Sequence, residues 1–183
     1  MRKSLPLVNV ELREGPETTL ILGIQSGACD ISIGHLGESY DQIESTLLLR
    51  EPIVVALPKG HKAARKKAVG LRDLEGELFI IPSKDALPSL HQMIVSAFTQ
   101  HHVPLSRYQM VEHFHTAVAL TKARAGVAFL PSSAIAFVPA GVVLRPASCS
   151  IRPLQTFALR SRGNADPLVQ RVLDLLKEVS ADL

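Results

Sequence analysis

The stretch GIQSGACDISIG, residues 23–34, decides how the chain is read. Gly27 is placed to end a helix, because glycine enters the left-handed cap conformation without a Cβ clash. DISIG at 30–34 then alternates polar and apolar residues, which is the period of a strand. Working backwards, Leu20, Ile21, Ile24 and Ala28 fall at helical spacing, and Pro16 suits a first turn. That predicts a helix over 16–27. VNVEL at 8–12 alternates as a half-buried strand would, and Gly15 and Pro16 end it. Strand, helix and strand in this order form a unit of βαβ type.

Working forwards, the same alternation continues. STLLLREPIVVALP at 45–58 reads as a long β stretch interrupted by Pro52. The basic run KGHKAARKKAVG reads as a solvated surface loop. LRDLEG is a short helix ended by Gly76, and ELFIIP is a buried strand. A helix from residue 88 turns Leu90, Met93, Ile94, Ala97 and Phe98 inward. RYQMVE is a strand, FHTAVALTKARAG a helix with Val118, Leu120 and Ala123 inward, and VAFLP a strand. SSAIAFV is a short helix, and GVVLRP and PLQTFALR are strands. The chain closes on an amphipathic helix with Asp166 as N-cap and Leu168, Val172, Leu175 and Leu176 as its stripe. Short strands alternating with helices predict an α/β fold with mostly parallel sheets.

Composition excludes several functions. The chain has 183 residues, 46% of them hydrophobic, with no tryptophan and a net charge of +3. No face is basic enough for a nucleic-acid-binding domain. No apolar run approaches the length of a membrane span, and the N-terminus does not read as a signal peptide, so the expected location is cytoplasmic. The two cysteines, Cys29 and Cys149, are far apart and read as free thiols. There is no Gly-x-Ser-x-Gly elbow, no P-loop and no dinucleotide fingerprint, which leaves no catalytic constellation. Cys29 enters a strand at the end opposite a ligand edge and reads as packing.

Taken together and in order, VELREG, GACDISIG, LLLREPIVVALPKGH, LRDLEGELFIIP, TAVALTKARAGVAFLPSSA, GVVLRP and DPLVQRVLDLLKEV cover nearly the whole chain. They resemble the effector-binding domain of LysR-type transcriptional regulators. The resemblance implies two Rossmann-like lobes of periplasmic-binding-protein type II, joined by two crossover strands near residues 56–58 and 154–156. Residues 1–57 are then an incomplete first lobe without its opening strand, 58–154 the second lobe, and 155–183 the return to the first. It also implies a small effector between the lobes, a homodimer formed through the helix at 16–27 and the strand at 8–12, and DNA contact only through a winged helix-turn-helix absent from these residues. Arg124 stands at a helix end where the family usually carries glycine; Gly126 is the nearby residue able to take that role.

Open α/β sheets bind ligands beyond the carboxyl ends of their strands. That rule selects Gly34, His35 and Leu36; Pro82, Ser83 and Lys84; His113, Phe114, His115 and Thr116; and Pro131 with Ser132. Helix N-termini there offer amides to a carboxylate. Ser83 and Thr116 add hydroxyls, and Lys84 and His115 positive charge, so a small carboxylate or aromatic effector is expected. His113-x-His115 lacks a third ligand with telling spacing, so neither metal nor cofactor is expected. The alternatives are a transporter's solute-binding protein and an enzyme on the same fold.

Overall fold

A computed structural model describes residues 5–35, 40–149 and 151–181. The chain divides into two compact units, residues 1–49 with 155–183 and residues 50–154.

In the first unit, α1 (Glu17–Ser26) leads to β1 (Ser32–Gly34). Gly27 takes φ 73°, its N–H donates to Ile24 O at 3.3 Å, and the Cys29 N–H reaches back to Gly23 O at 3.1 Å. The helix end is therefore closed by backbone bonds that need a left-handed residue at 27. β2 (Ile43–Glu51) and β8 (Leu154–Ser161) complete a three-stranded sheet in the order β1-β8-β2, with β1 antiparallel to β8. Successive residues of β8 face opposite sides. Leu159 joins Ile21 and Ile24 of α1, with Cys29 packed beside them. Ala158 meets Val169 and Leu173 of α4 (Pro167–Ala181). Asp166 caps that helix, its Oδ1 accepting the Leu168 N–H at 2.7 Å. The buried stripe is Val169, Leu173 and Leu175; the expected Leu168 is 43% exposed. Leu175 is buried as expected and Leu176 packs against the Ala158 cluster, while Val169 and Leu173 take the inward places expected for Leu168 and Val172, because two overlapping apolar stripes run along the helix.

Residues 8–12 form no strand. Leu7 and Leu12 are 98% and 89% exposed, and the described sheet provides no neighbour for this segment. Alternation shows which side of a segment is apolar, whereas a strand also needs a partner for its backbone groups.

The second unit carries β3 (Ile53–Pro58), β4 (Phe79–Pro82), β5 (Tyr108–Val111), β6 (Val127–Pro131) and β7 (Val142–Pro146) in the order β5-β4-β6-β3-β7. β4 is parallel to β5 and β6, while β3 is antiparallel to β6 and β7. The sheets are thus mixed rather than mostly parallel. β3 also places the first boundary at 49/50 instead of 57/58, because Ile53–Pro58 is paired on both sides within the second unit.

One face of this sheet, with Val55, Ile81 and Phe129, packs on Leu90, Ile94 and Phe98 of α2 (Pro88–Gln100). Phe79, Phe98 and Phe129 form an aromatic cluster, the first two edge-to-face with centroids 4.6 Å apart. The other face, with Val54, Ile80 and Leu130, packs on Ala117 and Val118 of α3 (Phe114–Lys122). Covering on both faces is why these strands read as unbroken apolar runs. Thr121 takes the inward place expected for Ala123, which is exposed.

Arg124 itself adopts φ 62°. Its N–H donates to Thr121 O and the Ala125 N–H to Leu120 O, both at 3.0 Å. The cap expected at Gly126 therefore lies at Arg124. Gly126 serves a close approach instead, since a Cβ there would stand 2.2 Å from Leu78 O.

Candidate functional site

β5, β4 and β6 are neighbours and run the same way, so their carboxyl ends meet at one edge of the second unit. Three of the four expected segments leave from this edge.

Ser83 follows β4. Its N–H donates to Val111 O at 2.8 Å, which extends the ladder one step past the strand. The side chain is only 9% exposed, and its Oγ accepts the Ala86 N–H at 3.0 Å. That bond shapes the turn into α2 and leaves the hydroxyl hydrogen to donate. Pro82 is buried, whereas Lys84 is exposed on the outside of the turn. His91, which carries no role in the sequence reading, reaches this loop from the first turn of α2. Its Nδ1 lies 2.8 Å from Pro82 O. A carbonyl can only accept, so Nδ1 carries the hydrogen and Nε2 of the neutral ring is an acceptor.

His113 precedes α3 in extended backbone, with no side-chain cap on the helix. The Thr116 and Ala117 amides both donate to His113 O, at 3.1 and 3.2 Å. The amides of Phe114 and His115 have no intrahelical acceptor, as expected of a first turn. Thr116 and His113 are exposed, and Phe114 packs against the cores on both faces of the sheet. His115 stacks on Phe137, with ring centroids 4.4 Å apart and planes 29° apart. Its ring is thus oriented by an aromatic neighbour.

The segment after β6 differs from expectation. The Ser132 N–H donates to Pro52 O and the Ser133 N–H to Glu51 Oε1, both at 3.0 Å. These amides are already engaged and do not await a carboxylate. Glu51, a second residue without a role in the sequence reading, lies 82 positions from Ser133 in the chain, beyond the reach of any local motif. Pro131 is buried and Ser132 half-buried.

Gly34 and His35 belong to the first unit, at the end of β1. A Cβ on Gly34 would stand 3.1 Å from Leu20 Cδ1, so glycine lets α1 approach the strand. His35 Nδ1 lies 3.0 Å from Gln155 O and therefore donates to it. Leu36 lies outside the described residues.

Two cavities of the second unit open elsewhere. One of about 190 Å³ lies beside Gly70, Asp73 and Cys149, and one of about 350 Å³ beside Gln92, Met93 and Arg152. Among the described residues no cluster of three His, Cys, Asp or Glu side chains is arranged for a metal, and no helix is long and apolar enough to cross a membrane.

The profile of the LysR substrate binding domain matches residues 1–181. The chain is 28% identical over 188 residues to the HTH-type transcriptional regulator CatR of Pseudomonas putida, covering 96% of this chain and 64% of that protein. It is 33% identical over 111 residues to the transcriptional activator protein LysR of Escherichia coli K12, covering 59% of this chain and 34% of that one. In fold it matches the effector binding domain of BenM, solved with its effector benzoate, at a TM-score of 0.88 and 20% identity, over 99% of this chain and 82% of that one. The chain belongs to the LysR substrate-binding domains, an effector-binding and non-enzymatic family.

Proposed function

We propose that this chain is the effector-sensing part of a LysR-type transcriptional regulator working in the cytoplasm, and that the edge shared by β5, β4 and β6 receives a small carboxylate. One observation carries the site: of the amides at this edge, those of Phe114 and His115 at the start of α3 have no intrahelical acceptor, while those at 132 and 133 are spent on Pro52 and Glu51. A carboxylate at that turn also meets the positive end of the helix. Ser83 and Thr116 supply hydroxyls from adjoining loops. Lys84, His113 and the stacked His115 add donors toward solvent, and Phe114 and Pro82 form apolar floor. Pro131 and Ser132 bound this surface by shape and by the Ser132 side chain. On the first unit, Gly34 and His35 are the corresponding candidates.

The BenM effector binding domain, solved with its effector benzoate, makes a benzoate-like compound the first probe. A ligand bound only by the folded chain raises its melting temperature, by about 2.7 kcal/mol of stabilisation at a hundred times Kd. The test is a thermal-shift series with benzoate and short-chain carboxylates on the wild type, Ser83→Ala, Thr116→Val and the double variant of the two. Each variant is expected to lose most of the ligand-induced shift. A full-sized shift in the double variant refutes the site.

The same reading makes the chain a homodimer, with α1 and the apolar residues of its outer side, such as Leu22 at 63% exposure, in the contact. A mass of one chain by light scattering at high concentration refutes the dimer.

A further inference from the structure

β2 runs without a break from Ile43 to Glu51, and the division between the two units falls inside it, at Leu49 and Arg50. Its last residue is unusual. Glu51 is a carboxylate only 9% exposed, and no cation among the described residues pairs with it. Burying a carboxylate without a cation is unfavourable unless hydrogen bonds compensate. Here the compensation comes from the Ser133 N–H at 3.0 Å. The next residue, Pro52, accepts the Ser132 N–H at 3.0 Å.

Two consecutive amides after β6 are thus held by the last residue of β2 and the residue that follows it. The 3-10 helix Ser132–Phe137 begins after Pro131, whose side chain makes no capping bond. A neighbouring Ser or Asp would have capped it locally. The chain instead caps it from 82 positions away, which ties the loop to β2.

We propose that Glu51 is a positioning residue for effector sensing. It makes the loop at 131–133 and the strand β2 move together, so that a ligand contact on the loop is passed into β2. Its use in sensing rests on the effector reading given above, while the mechanical link can be measured without any ligand.

The experiment is hydrogen–deuterium exchange on the wild type, Glu51→Ala and Glu51→Gln. Leaving a half-buried N–H without its acceptor is enough to change local opening by roughly tenfold. In Glu51→Ala, exchange should rise by about that factor both in 132–137 and in residues 43–49 of β2. Glu51→Gln should stay near the wild type, since its side-chain carbonyl can still accept the Ser133 N–H. Peptides covering β4 and α2 should not change. A rise confined to 132–137 overturns the proposal, because the loop and strand then move separately. A uniform rise over the whole chain also overturns it, because Glu51 is then a stability residue only. Failure of the effector reading is read on a separate measurement, the absence of any carboxylate-induced thermal shift in the wild type.

Discussion

The ends of α2 and α3 allow a quantitative test of backbone strain. Arg124 after α3 has φ 62°, and His102 after α2 has φ 54°. Both positions close their helices in the same way: the Ala125 N–H bonds Leu120 O, and the Val103 N–H bonds Phe98 O, each at 3.0 Å. Both side chains are exposed, so the conformation is imposed by the backbone closure and not by a side-chain contact. A Cβ in this region costs about 1–2 kcal/mol. Glycine removes that strain but loses about 0.5–1 kcal/mol more backbone entropy on folding. Arg124→Gly should therefore stabilise by about 0.5–1 kcal/mol net. For a chain of this size the melting temperature rises by about 2–4 °C per kcal/mol. Urea denaturation followed by circular dichroism is the assay, with Arg124→Ala as the control. Alanine keeps the Cβ and removes the guanidinium, so it should stay within a few tenths of a kcal/mol of the wild type. If Arg124→Gly destabilises, or if alanine stabilises as much as glycine, the strain argument is wrong.

The remaining predictions concern the second unit. Gly126→Ala should destabilise by about 1–3 kcal/mol, because its Cβ would meet Leu78 O at 2.2 Å and that atom is backbone that cannot turn aside; a urea midpoint equal to the wild type's would contradict the close approach. Burial pushes the Cys149 thiol up from its ordinary pKa, and the side chain is 8% exposed, whereas Cys29 is half-buried. A disulfide reagent at pH 8 should therefore label one thiol readily and the second only as urea unfolds the chain, and rapid labelling of both counts against this packing. The Asp73 carboxyl is held below its ordinary range, first by the hydrogen bond from Lys66 at 2.5 Å and then by the Gly70 N–H. A lowered folded-state pKa gives stability that is complete above the ordinary value near 4 and is lost as the pH falls through the lowered one. The difference in urea midpoint between the wild type and Asp73→Asn should accordingly shrink as pH falls below about 4, and a difference that grows there would reverse the sign.

The parts of the fold legible in the sequence are those decided within one element. Gly27 ends α1, Asp166 begins α4, and VAFLP and FIIP are strands buried on both faces. Each follows from local geometry or from a short apolar run. What escaped is decided between elements. Nothing in IVVALP reveals that it runs antiparallel to β6, since side-chain alternation has no direction. VNVEL has the pattern of a strand and lacks a neighbour. In α4 the apolar residues at 168, 169, 172, 173, 175 and 176 form two overlapping stripes, and periodicity alone does not choose between them. The choice falls to Ala158, whose small side chain on β8 packs against Val169 and Leu173.

The site shows the same division in sharper form. The rule of strand ends finds the loops from sequence, because it needs only the order of strands and helices. It does not say which backbone amides in those loops are still available, since that depends on partners distant in the chain. At 132–133 the partners are Pro52 and Glu51; at Ser83 the partner is Val111 O. Every buried amide needs an acceptor. A loop whose amides are spent within the protein is therefore a support for the site, and one whose amides are unspent is a receptor. By that criterion the loops after β4 and β6 support the edge, and the amides of Phe114 and His115 at the start of α3 are the ones left without an intrahelical acceptor. The sequence rule treated the three loops as equivalent, and hydrogen-bond accounting separates them.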